Sequence, residues 1–181
     1  MNKNFKKQIT HSLLLAIGTI INIIMPGFLG GIKPDFILLI LLMIILLDSD
    51  YKTALLTGIV AGLLGALTTS FPGGQIPNLI DKIIISHLTF LCLIPLRKYN
   101  TVNNIKAIIL CLLGTVVSGT VFLSTALILF GLPAPFKILL ISVVLPTALV
   151  NAILSPILLN ILSKSLRISN SKIYDTKIIQ S

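Results

Sequence analysis

The sequence predicts an all-α membrane protein, a six-transmembrane-helix bundle with both termini in the cytoplasm, and three observations carry that expectation. Hydrophobic residues make up 55% of the 181 residues and charged residues only 10%, with a mean hydropathy of +1.06. A soluble domain carries roughly 25% charged residues, so too little polar surface is left to clothe a globule in water. The apolar residues fall into six runs with short breaks between them, and most lysines and arginines sit at the ends of those runs.

A membrane-spanning helix needs about 20 apolar residues. The first run, 9–25, follows Lys3, Lys6 and Lys7. No small-x-small cleavage site follows it and Pro26-Gly27-Phe28 opens a loop, so it is expected to stay as the first span and not to be a signal peptide. The second run, 34–47, is short, and is expected to be a steep helix or to thin the bilayer locally. The third covers 53–71. The fourth covers 76–96, with Asp81, Lys82 and His87 in its first half. The fifth covers 105–130. The sixth covers 136–162 and contains Pro146 and Pro156, which spans tolerate because neighbouring groups re-satisfy the freed carbonyls. The breaks are short enough for one integral membrane domain, with 163–181 as a polar, basic, frayed cytoplasmic tail.

Charge placement orients the bundle. With the N-terminus inside, the cytoplasmic side carries Lys3, Lys6, Lys7, Lys52, Arg97, Lys98, Lys106, Lys164, Arg167, Lys172 and Lys177, and the outer side Lys33, Lys82 and Lys137. Cytoplasmic loops are enriched in Lys and Arg, so this bias predicts both termini inside. The formal net charge of +9 has the same explanation. A nucleic-acid partner would need the bases clustered on one face, and they are not. The partner implied by composition is the lipid bilayer.

Small residues mark packing faces. Ala54, Gly58, Gly62, Ala66 and Ser70 recur every fourth residue in the third run, a ridge on which another helix can approach closely. Ser12-x-x-x-Ala16 with Gly18, and Gly114-x-x-x-Ser118 with Gly119, are shorter versions. Thr115, Thr120, Ser124, Thr125, Thr147 and Asn151 are polar inside apolar runs, as interhelical hydrogen-bond donors or as part of a cavity wall. Cys92 and Cys111 lie within apolar runs and are expected to be buried thiols, not a disulfide or a metal pair.

Two outer loops hold the residues able to bind a solute. One is Gly27-Phe28-Leu29-Gly30-Gly31-Ile32-Lys33-Pro34-Asp35. The other runs from Thr68 through Phe71-Pro72-Gly73-Gly74-Gln75-Ile76-Pro77-Asn78 into Asp81-Lys82. Each has one Asp and one Lys, a set that suits a zwitterion such as an amino acid. Asp35 or Asp81 would take the ammonium and Lys33 or Lys82 the carboxylate. Gly30, Gly31 and Gly74 would expose backbone N–H groups at helix starts. Gln75 and Asn78 can donate and accept hydrogen bonds, and Phe28 and Phe71 offer rings to a flat ligand. His87, an ionisable group within a span, joins the candidate set. The plainer alternatives are that Asp81-Lys82 forms a helix cap and interfacial anchor, that Lys33 and Asp35 are simple loop charges, and that His87 is an interhelical hydrogen-bond donor.

Catalytic motifs are absent. The chain has no Glu, no phosphate-binding Gly-rich Lys loop, no His-Glu-x-x-His and no Cys/His metal spacing. It is read as a non-enzyme without a cofactor, and any ATP hydrolysis would come from another subunit.

The stretches 28–35 and 71–82 resemble those of the bacterial tryptophan-uptake membrane protein family, and size, span order and loop placement match along most of the chain. That family is in turn similar to the substrate-capture S components of energy-coupling factor transporters. The resemblance implies tryptophan as the substrate, the bacterial plasma membrane as the location, and a transmembrane coupling subunit with two ATPase subunits as partners. S components dock through an Ala-x-x-x-Ala ridge on their first helix. Here Ser12-x-x-x-Ala16 is the counterpart, with Ser in place of the first Ala. Two other functions fit the same residues: a stand-alone ion-coupled transporter of tryptophan or a related aromatic solute, and a membrane assembly protein that transports nothing.

Overall fold

Three helices begin where a short polar side chain takes up backbone N–H groups that a helix start leaves orphaned. Asp35 accepts from Leu38 N (3.0 Å), Asp50 from Thr53 N (3.1 Å), and Asn103 from Lys106 N (2.9 Å). The Thr53 hydroxyl also donates to Asp50 (2.6 Å), which holds that carboxyl below the ordinary carboxylate range. The computed structural model describes residues 3–25, 33–97 and 102–168, and every regular element among them is helical. The elements are α1 (Lys3–Ile24), α2 (Phe36–Leu47), α3 (Tyr51–Thr68), α4 (Gln75–Arg97) and α5 (Asn104–Phe130). A sixth rod joins α6 (Phe136–Leu139), a π-helical turn (Leu140–Val144) and α7 (Leu145–Ile168).

Five of the six rods are long and apolar enough to cross a membrane, and α2 is the short exception. All twelve α2 residues are buried, and α1, α3, α4, α5 and α7 pack around them. A helix apolar on every side belongs inside protein. At about 1.5 Å per residue its twelve residues are shorter than the roughly 30 Å hydrocarbon core, and they are covered by the surrounding helices. Each α2 end is acidic, and a lysine from a long helix meets each one: Lys82 at Asp35, and Lys7 at Asp48.

The third and fourth helices pack closely along small residues. A Cβ on Gly58 would come within 2.2 Å of Ser86 Oγ, and one on Gly62 within 3.1 Å of Leu79. The predicted four-residue ridge does not run the full helix. Ala54, Gly58 and Gly62 are buried, but Ser70 is exposed and Gly65 takes over against Asn78. With about 3.6 residues per turn, a four-residue step drifts around the helix, and a three-residue step brings the seam back.

The sixth rod compensates locally for its prolines. Pro156 has no N–H for the Ala152 carbonyl, and Ser155 Oγ donates to that oxygen instead (2.8 Å). The π turn lies just before Pro146, at the register break such a residue imposes. Helix α7 continues to Ile168, past the predicted tail boundary at 163. Cys111 is buried as expected, but Cys92 is exposed on the outer face of α4, where an apolar thiol can meet lipid.

Candidate functional site: a charged cavity beside the α2 N-terminus

Asp81 and Lys82 are the seventh and eighth residues of α4, past the first turn, and only 1% and 2% exposed. Their burial overturns the cap-and-anchor alternative. Buried charges persist only when paired and hydrogen-bonded, and here the partners come from three helices. Lys82 Nζ donates to Asp35 Oδ2 (2.9 Å), to Asp81 Oδ2 (2.8 Å) and to Ser118 Oγ (3.4 Å). The Ser118 hydroxyl donates to Asp81 Oδ2 (2.8 Å). One ammonium thus sits between two carboxylates, so the cluster is acidic by one charge when all three groups are ionised. Asp81 Oδ1 is buried and has no hydrogen-bond partner.

Asn151, wholly buried in α7, fixes the α2 end of this cluster. Its Oδ1 accepts from the Asp35 backbone N–H (3.1 Å) and its Nδ2 donates to Thr115 Oγ1 (3.0 Å). Lys33 belongs to a different neighbourhood. Its Nζ donates to the Asn22 carbonyl (3.2 Å) in the last turn of α1, where a cation suits the helix C-terminus. No carboxylate among the described residues pairs with Lys33.

These groups line a cavity of about 420 Å³, within the roughly 300–1,000 Å³ of small-molecule sites. Its polar wall includes Asn22, Lys33, Asp35, Asp81, Lys82, Thr115 and Ser118, and its apolar wall Phe71, Phe122, Leu123, Leu139 and Val143. Phe71 and Phe122 meet edge to face, with centroids 5.2 Å apart, a favoured aromatic geometry. A tight turn places Phe71. Pro72 presets its second position, Gly73 takes φ +70° at its third, and Gly74 N–H closes onto the Phe71 carbonyl (2.9 Å). The π turn supplies Val143 and Val144. It approaches α5 closely because Gly119 has no side chain: a Cβ there would lie 2.5 Å from Val144 Cγ1.

Of the predicted site residues, the cavity wall gathers Lys33, Asp35, Phe71, Asn78, Asp81 and Lys82. Gly74 is buried under Thr69 and Phe71, and Gln75 is exposed at the start of α4; neither lines the cavity. His87 is exposed and bonded through Nδ1 to Tyr51 Oη (2.9 Å), level with the opposite end of α3 from the Phe71 turn. It is placed there because α3 and α4 run antiparallel, so that Asn78 faces Gly65 and His87 faces Tyr51. Phe28, Gly30 and Gly31 lie outside the described residues. Ser12 and Ala16 are exposed on the outer face of α1. Ser118, Asn22 and Phe122 were not singled out as ligands from the sequence. Ser118 was legible only as a packing residue, and nothing local marks Asn22 as facing a cavity.

Fold and site together define an all-helical membrane bundle with a partly charged, partly aromatic cavity of small-molecule size. Comparison with known proteins narrows the class. A family model described as tryptophan transporter TrpP matches residues 4–167, and the chain belongs to that family. A protein of Clostridium acetobutylicum is 51% identical over 169 residues, covering 93% of this chain and 98% of the relative. One of Bacillus subtilis is 43% identical over 164 residues (88% and 94%), and one of Clostridium perfringens 41% over 174 residues (91% and 96%). Each of the three is described as a probable tryptophan transport protein. No solved structure matches the chain. The protein is a multi-pass protein of the bacterial plasma membrane, and its family is one of transporters, not enzymes.

Proposed function

We propose that this chain captures tryptophan in the cavity between α2, α4, α5 and the sixth rod, as the substrate-binding S component of an energy-coupling factor transporter. The observation that carries the capture step is the charge inventory of the cavity. Asp35 and Asp81 together outweigh Lys82 and leave acceptor capacity for an ammonium, while Lys33 keeps donors for a carboxylate. An α-amino acid presents those two groups, and the Phe71–Phe122 wall suits an aromatic side chain. In this arrangement all six rods cross the bilayer with both termini in the cytoplasm, and the cavity faces outward. The Lys and Arg count supports that orientation.

The S-component role is supported by the resemblance of the two loops and by the outward exposure of Ser12 and Ala16, where a coupling subunit would dock. Reconstitution in liposomes tests it. With a coupling subunit and ATPase subunits present, ATP-dependent tryptophan uptake is expected, and Ala16→Leu should abolish uptake while sparing tryptophan binding. Uptake driven by a proton or sodium gradient, with no added subunits, would instead establish the stand-alone ion-coupled transporter. The involvement of both Asp35 and Asp81 with Lys82 argues against their carrying such an ion.

A further inference from the structure

Among the described residues, two cavity-lining side chains keep a buried oxygen without a hydrogen-bond partner: Asp81 Oδ1 and Asn22 Oδ1. Such groups are rare in folded proteins and call for an explanation, for which a ligand donor is the simplest when both border one cavity. The two acceptors differ in kind. Asp81 belongs to the acidic cluster and suits a cationic donor. Asn22 is neutral, at the end of α1, and its own backbone carbonyl is already taken by Lys33. The other amide side chain of the wall, Asn78, donates from Nδ2 to the Gly74 carbonyl (2.9 Å), and its Oδ1 lies against Gly65, 3.3 Å from where a Cβ there would be.

Tryptophan has two classes of N–H donor, a charged ammonium and a neutral ring N–H. We infer that the Asn22 side-chain amide receives the indole N–H of the ligand and sets the preference for an indole over ring systems that lack a donor. The inference rests on the tryptophan reading above. Charge decides the pairing. The ammonium gains most at the acidic cluster, because hydrogen bonds between oppositely charged groups are the stronger kind. That leaves the neutral donor for the neutral acceptor. The Lys33 contact with the Asn22 carbonyl keeps the carboxylate-binding cation next to this residue, so one end of α1 would read both the amino-acid head and the ring. A site that hydrogen-bonds a substrate N–H discriminates strongly against an analogue without it, because its own acceptor is then left unpaired.

The test is calorimetric titration of the detergent-purified protein with L-tryptophan and with its benzothienyl analogue, in which sulfur replaces the ring N–H. The wild-type protein should bind tryptophan more tightly by roughly tenfold or more. In Asn22→Ala, tryptophan affinity should fall to about that of the analogue, with the analogue nearly unaffected. Asn22→Leu, closer in volume, should behave the same way and serves if the alanine variant does not fold. Equal wild-type affinity for the two compounds would overturn the assignment and leave the tryptophan reading standing. So would either variant retaining the wild-type preference. Failure of both compounds to bind the wild-type protein would sink the tryptophan reading itself.

Discussion

Lys82 and Lys33 carry the same charge and are held in opposite ways. Lys82 is buried between two carboxylates, so it belongs to the structure as much as to the site. Lys33 is partly exposed and donates to a backbone carbonyl, that of Asn22. Replacing a buried ion-pair partner leaves an uncompensated charge and costs about 3–5 kcal/mol. Lys82→Met should therefore lower the thermal midpoint of the purified protein markedly, through Asp81 and Asp35 left facing each other. Lys33→Ala should leave the midpoint nearly unchanged and weaken tryptophan binding by about 2 kcal/mol or more. Melting curves and titrations on the two variants check this; a Lys82→Met protein as stable as wild type would contradict the buried cluster. The sequence marks Asp81 and Lys82 because ionisable groups within a span are expensive. It does not separate a helix-end anchor from a buried pair, since that depends on whether α4 begins at Gln75 or nearer Asp81. Ser118 looks like packing in the sequence, and Asn22 has no sequence signal at all.

At the scale of elements, α2 and the α3–α4 seam set the position of the site. Helix α2 offers its N-cap, Asp35, as one wall of the cavity, and is held by five neighbours. Hydropathy records that this run is short and apolar, but it does not say whether lipid or protein surrounds it. The central place of α2 was therefore not legible, although its boundaries nearly were. The α3 ridge was legible as a packing surface, since small residues at helical spacing have few other uses, but its partner was not. That partner is the stretch of α4 bearing Lys82, whose carbonyl lies 2.9 Å from where a Gly58 Cβ would be. Gly58→Val should push α4 away from α3 at the level of Lys82, costing roughly 1–3 kcal/mol in stability and weakening tryptophan binding with it. Val60→Ala, on an exposed face of the same helix, should do neither. Wild-type binding in Gly58→Val would show that the close helix contact does not position the cluster.

At the scale of the whole molecule, the chain joins a buried, hydrogen-bonded charge cluster to an exterior rich in large apolar side chains. The exterior is what composition reports, and the class of protein followed from it. The site was only partly legible: two of its four charges, Lys33 and Asp35, lie just before α2 and the other two, Asp81 and Lys82, lie past the first turn of α4, while the closing residues arrive from α1, α5 and the sixth rod by packing alone. The family match extends over nearly the whole chain, so the cavity and its surroundings belong to the matched region. Direct titration of the purified protein with tryptophan tests the central claim of a zwitterion site most directly. The chain contains no Trp, so indole fluorescence reports the ligand alone. A saturable fluorescence change is expected on adding L-tryptophan, lost with indole or tryptamine, which lack the carboxylate that Lys33 would hold. Binding of tryptamine as tight as that of tryptophan, or no saturable binding of tryptophan at all, would contradict it.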